Sequence, residues 1–520
     1  MFFYNFTIPL AQGFVIDDVG WQECSDLTSA GGPPRLHCDR KSNIDDYKQL
    51  VDLAEALGVR IFCAFVMSEF DRGNICGKPC YNKPLAPMDM TEKGLNWTNP
   101  ISDTQTQIMD FVKKNSHAID FAMHGVRHGH YGEGMWEVSE WARRAKKDEK
   151  GNFCEEIKTV TPWDSENKTD RLIAECFKEL IRQYFTEEEL PFPESFVPPN
   201  HSYFYEEGSD ITTGAVLSEF GVKYCNFKHT GSGSGDYNFI SIINWDHNLC
   251  LLDRRGIKGS SYKKTGAKPK FFPRAFPYME AHFNNIWGTV PLWKKYLYNI
   301  NRHPGRMLGK NTEQVFSQWI YHKFAKIKNY KNKIVVDCRS IPQEAYAKNI
   351  LSTLILKIWL GKKEISTFKT SNGAMSDRFT QLCCYYKDKY GYGYVTVGNS
   401  ENSMGCLDRG VYCFEWTTGK EPVDFYVDNS NLTAQVYSVK GKERVHLKVY
   451  GTQKVRIKTH KPESVESFNP NVKILSWEYK DGFLEVMVKG TSMLGDETCI
   501  RLSFPPPMKI YDLLDSPSLN

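Results

Sequence analysis

The sequence has no run of about 18 apolar residues, the length a membrane-spanning helix requires. The apolar stretch 351–360 is too short and holds Lys357, so no transmembrane segment is expected. Residues 1–10 have neither a basic n-region nor an apolar h-region, and no secretory signal is read there. A surplus of one charge is also missing. The 66 basic and 62 acidic residues leave a formal charge of +4, without the basic excess of a nucleic-acid binder, so no nucleic-acid partner is expected. The most basic stretch, 323–333, alternates Lys with Ile, Tyr and Asn and reads as a solvated helix face and loop. No G-x-S-x-G elbow marks a serine hydrolase. Cys76 and Cys80 sit four apart in a Gly/Pro-rich loop, but no second Cys/His pair of zinc spacing follows. The 15 cysteines are scattered through apolar, strand-like runs. That pattern suits free buried thiols in a reducing compartment, and the expected location is the cytoplasm.

What is present is enough apolar material for more than one core. Of the 520 residues, 41% are hydrophobic and 13% aromatic, which argues against disorder and for several domains. Short apolar runs alternate with helical patterns over the first two thirds. Residues 13–16, 59–66, 119–123, 195–197 and 222–225 read as buried strands. Residues 47–57, 104–114, 170–184 and 215–220 carry helical spacing, and Gly58 and Gly221 stop two of these helices. This rhythm predicts an α/β domain with a parallel sheet, open or closed. Helical patterns are also read over 312–326 and 342–360. Beyond 361 the pattern changes to some seven short strands, among them 392–397, 444–450 and 483–489, separated by turn residues. They predict an all-β, sandwich-like unit. The expected domains are 1–360 and 361–520.

The chemistry-bearing residues fall at predicted strand ends, where parallel α/β folds place their sites. Asp17 and Asp18 close the first strand. Two adjacent carboxylates there cannot both sit in an apolar core, although one of them could simply cap a helix. His124 closes the strand 119–123, and His128 follows four residues later, so both imidazoles can face one ion. His117 and His130 lie close enough to offer an alternative pair. A single-metal hydrolytic site needs three protein ligands, a base for the water and an acid for the leaving group.

The run Phe14-Val15-Ile16-Asp17-Asp18 resembles the first motif of the NodB-type polysaccharide deacetylases, the carbohydrate esterases of family four. The run Met123-His124-Gly125-Val126-Arg127-His128 resembles their second motif. The resemblance covers roughly residues 10–300. It implies a distorted (β/α) barrel of the glycoside hydrolase/deacetylase type. It also implies Asp17 as general base and Asp18, His124 and His128 as ligands of a divalent ion, zinc first, acting on an acetylated carbohydrate. The third motif departs from the family: Phe196-Val197-Pro198-Pro199-Asn200-His201 keeps prolines and lacks the Arg that orients the base, leaving Asn200 or His201 as stand-ins. For the general acid, His282 is preferred over His247 because it follows a strand-like run late in the domain. Two other readings remain: a glycoside hydrolase, which needs a second carboxylate facing Asp17 or Asp18 across a cleft, and an inactive carbohydrate-binding or scaffold protein.

Overall fold

The computed structural model describes residues 6–20, 42–67, 70–71, 103–126, 129–130, 138–139, 168–199, 203, 205, 208, 210, 212–227, 243–260, 265–270, 275–372, 380–399, 405–430, 433–440 and 443–505. The loop 73–100 with Cys76 and Cys80, the turn 231–235, and Arg127, His128, Asn200 and His201 lie outside these.

Seven parallel strands close into a barrel: β1 (Leu10–Val19), β2 (Ile61–Phe65), β3 (Ile119–Met123), β4 (Ser195–Phe196), β5 (Tyr224–Phe227), β6 (Leu249–Gly256) and β7 (Tyr278–His282). The closing seam pairs β7 with β1 in parallel, Tyr278 opposite Gly13 and His282 opposite Asp17. The strands are rich in Val, Ile and Phe because both of their faces are covered. Alternate residues divide between the two faces. Phe14 stacks on Trp293 of helix α5 (Val290–Tyr298), so it points outward. Val15 and Asp17 therefore point inward. Phe62 meets Tyr278 edge-on across the interior, at 5.5 Å between ring centres. Gly13 is required at the seam, because a Cβ there would lie 2.4 Å from a Tyr278 ring carbon.

Helices α1 (Ile44–Leu57), α2 (Asp103–Lys114), α3 (Lys168–Arg182) and α4 (Thr213–Glu219) separate the first five strands, as the sequence predicts. The alternation then lapses. Between β5 and β6 the described residues hold an antiparallel strand, Ile243–Asp246, and between β6 and β7 they hold no helix. The result is a closed parallel barrel with a partial helical coat. Helix α6 (Thr312–Phe324) plugs the end where the strands begin. Its Phe316 packs on Tyr224 and Tyr278, and its Thr312 hydroxyl donates to Asp120.

Antiparallel sheets follow, and they start earlier than expected, at Lys326–Tyr330 paired with Lys333–Asp337. The basic stretch 323–333 is therefore largely an exposed hairpin strand, not a helix face. Residues 342–360 also depart from the helical expectation. Only Gln343–Ala347 is helical, and Leu354–Trp359 is a buried strand. A continuous apolar run looks alike in a buried helix and a buried strand, and periodicity cannot separate them. One sheet even takes Phe6–Thr7 as an edge strand beside Leu354–Trp359. At the far end two sheets face each other over Val445, Leu447, Ile500, Val455, Leu484 and Val486, which gives the sandwich-like packing. Barrel and sheets share a core in which Val15, Phe62 and Tyr278 belong with Ile334, Leu354 and Ile358. No helix among the described residues is long and apolar enough to cross a membrane.

Candidate functional site

A group of inward-pointing polar residues gathers at the carboxyl ends of β1, β3, β6 and β7. β1 is irregular there: its register against β2 shifts between Ile16 and Val19, and Asp18 adopts φ of 60°. That left-handed conformation is uncommon for a residue other than glycine, though Asp tolerates it better than most. It lets two consecutive carboxylates serve one site where a regular strand would send them to opposite faces.

Asp17 and Asp18 have separate partners. Arg254 of β6 donates from Nη1 to both oxygens of Asp17, at 2.7 and 2.6 Å. The guanidinium is 1% exposed, and its Nε lies 3.6 Å from Glu280 Oε2. Burial works against the Arg254 charge, but Asp17 and then Glu280 outweigh it and hold its pKa above the usual value. Asp18 instead faces two histidines. His124 Nε2 is 3.4 Å from Asp18 Oδ1, and His282 Nε2 is 3.8 Å from Asp18 Oδ2. The other ring nitrogen of His124, Nδ1, donates to the Val197 carbonyl at 2.8 Å. A carbonyl only accepts, so Nδ1 carries a proton, and in the neutral form of the ring Nε2 presents a lone pair toward Asp18. The backbone fixes the same ring, since His124 N–H donates to Phe65 O at 2.9 Å.

This arrangement fits a metal ion. A lone pair aimed at a carboxylate oxygen is repulsive unless a cation lies between them. Two ligand atoms each about 2.1 Å from a tetrahedral zinc are about 3.4 Å apart. A histidine whose far nitrogen donates to a backbone carbonyl is the usual support for a metal ligand. The charge balance agrees: among the described residues three carboxylates, Asp17, Asp18 and Glu280, share the site with one guanidinium. A second grouping, Asp17 with Glu280 and His282, has ligand atoms within 4.8 Å of one another. Arg254 already pairs with both of its carboxylates, and a cation there would meet the guanidinium. Asp18 and His124 are the better seat.

Four of the five residues singled out from sequence, Asp17, Asp18, His124 and His282, thus meet at one end of the barrel. The fifth, His128, lies outside the described residues. His117 goes elsewhere, with Nε2 2.8 Å from Glu55. So does His247, whose ring faces Asp246 at 2.9 Å and Asp210 at 3.4 Å. Its neighbour Asp246 accepts from Tyr203, Thr212 and the Gly214 N–H at the start of α4. Arg254 and Glu280 were not singled out. Asp253-Arg254-Arg255 reads as a surface charge run, yet alternation along β6 puts Arg254 with inward Cys250 and Leu252. Glu280 lies two residues before His282 on the same face of β7, and that spacing could have found it. Trp287 is buried against Phe283.

Comparison with known proteins identifies no relative: no family model, no curated protein and no solved structure matches this chain.

Proposed function

We propose that the chain is a metal-dependent hydrolase that removes acetyl groups from an N- or O-acetylated carbohydrate. The observation that carries this reading is the division of labour between the two adjacent aspartates, Asp17 on a guanidinium and Asp18 between two imidazoles. Asp18 and His124 would hold the ion, with His128 as the third ligand by resemblance to the deacetylase motif. Zinc suits a His2Asp donor set, and other divalent ions suit it less selectively. A bound divalent ion supplies Lewis acidity toward an acyl carbonyl and lowers the pKa of a coordinated water from about 16 to about 7.

The chain's own residues do the rest. Asp17 accepts the proton of the attacking water, and Arg254 fixes the direction of its carboxylate. Arg254 fills the orienting role that the third motif leaves vacant, and this weakens the case for an inactive sugar binder. His282, 19% exposed at the mouth, donates a proton to the departing amine or alkoxide. The products are acetate and a free amino or hydroxyl group. A glycosidase needs carboxylates on facing walls with a sugar between them. Glu280 and Asp17 instead stand on neighbouring strands and share one arginine.

The test is acetate release from acetylated chito-oligosaccharides and acetylated xylan, with metal analysis of each variant. Asp17→Asn should keep the metal and lose acetate release, because an amide accepts no proton. His124→Ala should lose both. Metal-loaded protein that binds glycans but releases no acetate would overturn the proposal in favour of a binder. Shortened sugars with acetyl groups intact would overturn it in favour of a glycosidase.

A further inference from the structure

A second cleft opens on the outer wall of the barrel, facing away from Asp17. It lies between β6, β7 and the chain that follows α5, and Gln12, Arg255, Phe276, Tyr296, His303 and Arg306 help to line it. Its space is about 480 Å³ including the open mouth, and about 30 Å³ of it admits the centres of water-sized groups. The cleft therefore has room for about two waters, or one tetrahedral oxyanion.

The described lining carries two guanidinium groups and an imidazole and no carboxylate. Arg255 Nε has an acidic neighbour, Asp253 Oδ2, only at 3.6 Å, and Asp253 does not line the cleft. Burial, and after it the charges of Arg306 and Lys357, pushes the His303 pKa down. Lys357 Nζ, behind the cleft, donates to the carbonyls of Asn301, His303 and Arg306 at 2.7, 2.7 and 2.6 Å. Those three bonds pin the turn that carries His303 and Arg306. Fixing cationic groups before a ligand arrives removes part of the cost of binding it. Gln12 is 3% exposed and spends its Nε2 on the Phe276 carbonyl at 3.2 Å, while its buried Oε1 accepts no hydrogen bond. A buried acceptor without a donor is costly, and a ligand hydroxyl would satisfy it.

We propose that this cleft binds a small hydroxylated phosphate monoester, with its phosphate held between Arg255 and Arg306 and a hydroxyl donating to Gln12. Arginine forks match phosphate oxygens, and two of them suit a dianion. The hydroxyl distinguishes an ester from free phosphate, and the apolar walls around Phe276 leave space for its body. The site is separate from the metal centre and does not depend on the reaction proposed there.

The test is isothermal titration of the full chain in EDTA, which removes metal ions that would bind phosphate. The probes are inorganic phosphate, glycerol 3-phosphate and N-acetylglucosamine 6-phosphate. Saturable binding is expected, tighter for at least one ester than for inorganic phosphate by about tenfold. Arg255→Gln and Arg306→Gln should each weaken every probe by about tenfold or more. Gln12→Leu should weaken the ester and leave inorganic phosphate unchanged. Circular dichroism checks that each variant is folded. No saturable heat with any probe up to about 10 mM would overturn the proposal, as would unchanged binding in a folded double arginine variant. Equal affinity for ester and inorganic phosphate would overturn the monoester assignment.

Discussion

Arg254 reaches past β7 to hold Asp17 on β1, and Glu280 stands on the intervening strand. One guanidinium thus joins carboxylates from both sides of the seam that closes the barrel, with side-chain exposures of 1% for Arg254, 5% for Asp17 and 10% for Glu280.

Removing that cation strands two buried anions. Arg254→Leu is expected to cost ~3–5 kcal/mol of stability, read as a lower urea midpoint. Arg254→Lys keeps the charge but loses the planar fork. It should recover part of the stability while the proposed acetate release stays low, because Asp17 is no longer aimed. A leucine variant as stable as the parent would rule out this role.

Lys310 provides a pH test away from the site. It is buried, donates to the Ser430 carbonyl at 2.8 Å, and burial pushes its pKa down to about 8 from 10.5. The unfolded chain holds this proton more tightly than the folded one. The buried charge therefore penalises folding fully below about pH 8, and the penalty fades as pH rises from about 8 to 10.5. Its ceiling is ~3 kcal/mol, less whatever the Ser430 bond returns. Lys310→Met should match or exceed the parent in stability at pH 7, and that advantage should shrink steadily toward pH 10. An advantage independent of pH would mean that packing, not charge, sets the difference.

The barrel and the following sheets should unfold together. Lys448, on the strand Arg444–Val449, pairs with Glu313 of α6 and lies 3.9 Å from Glu194 at the start of β4. Burial opposes the Lys448 charge, but Glu313, Tyr450 and Glu194 hold its pKa well above the usual value. Arg60 extends the junction, bridging to Asp120 at 2.9 Å and donating to the Met493 carbonyl. Lys448→Met should cost ~3–5 kcal/mol and lower the melting temperature of one cooperative transition. Calorimetry showing two separate transitions in the parent would refute the shared-junction account.

The first five barrel strands were legible because each is a short, largely apolar run bordered by a glycine, a proline or a sharp change to polar residues. Asp17, Asp18 and His124 were legible because they sit where such runs end. Arg254 and Glu280 were not, since their meaning depends on β6, β7 and β1 becoming neighbours, a relation among segments far apart in the chain. His282 was preferred over His247 for its place after a strand-like run, but its nearness to Asp18 and its pairing with Asp17 across the seam depend on the fold. Leu354–Trp359 misled for a different reason: a strand covered on both faces has no polar side to mark its period.

The order in which the strands pair has a consequence for biogenesis. Leu10–Val19 leaves the ribosome well before Tyr278–His282, the partner for its seam edge. Until then a long, apolar strand edge stands open beside a half-built wall, the kind of surface that invites wrong pairing. The aspartates wait with it, Asp17 without the Glu280 that shares its arginine and Asp18 without His282. Newly made chains stalled before Tyr278 should therefore depend on chaperones and carry no activity, because the last barrel strand closes the fold and completes the proposed site in one step.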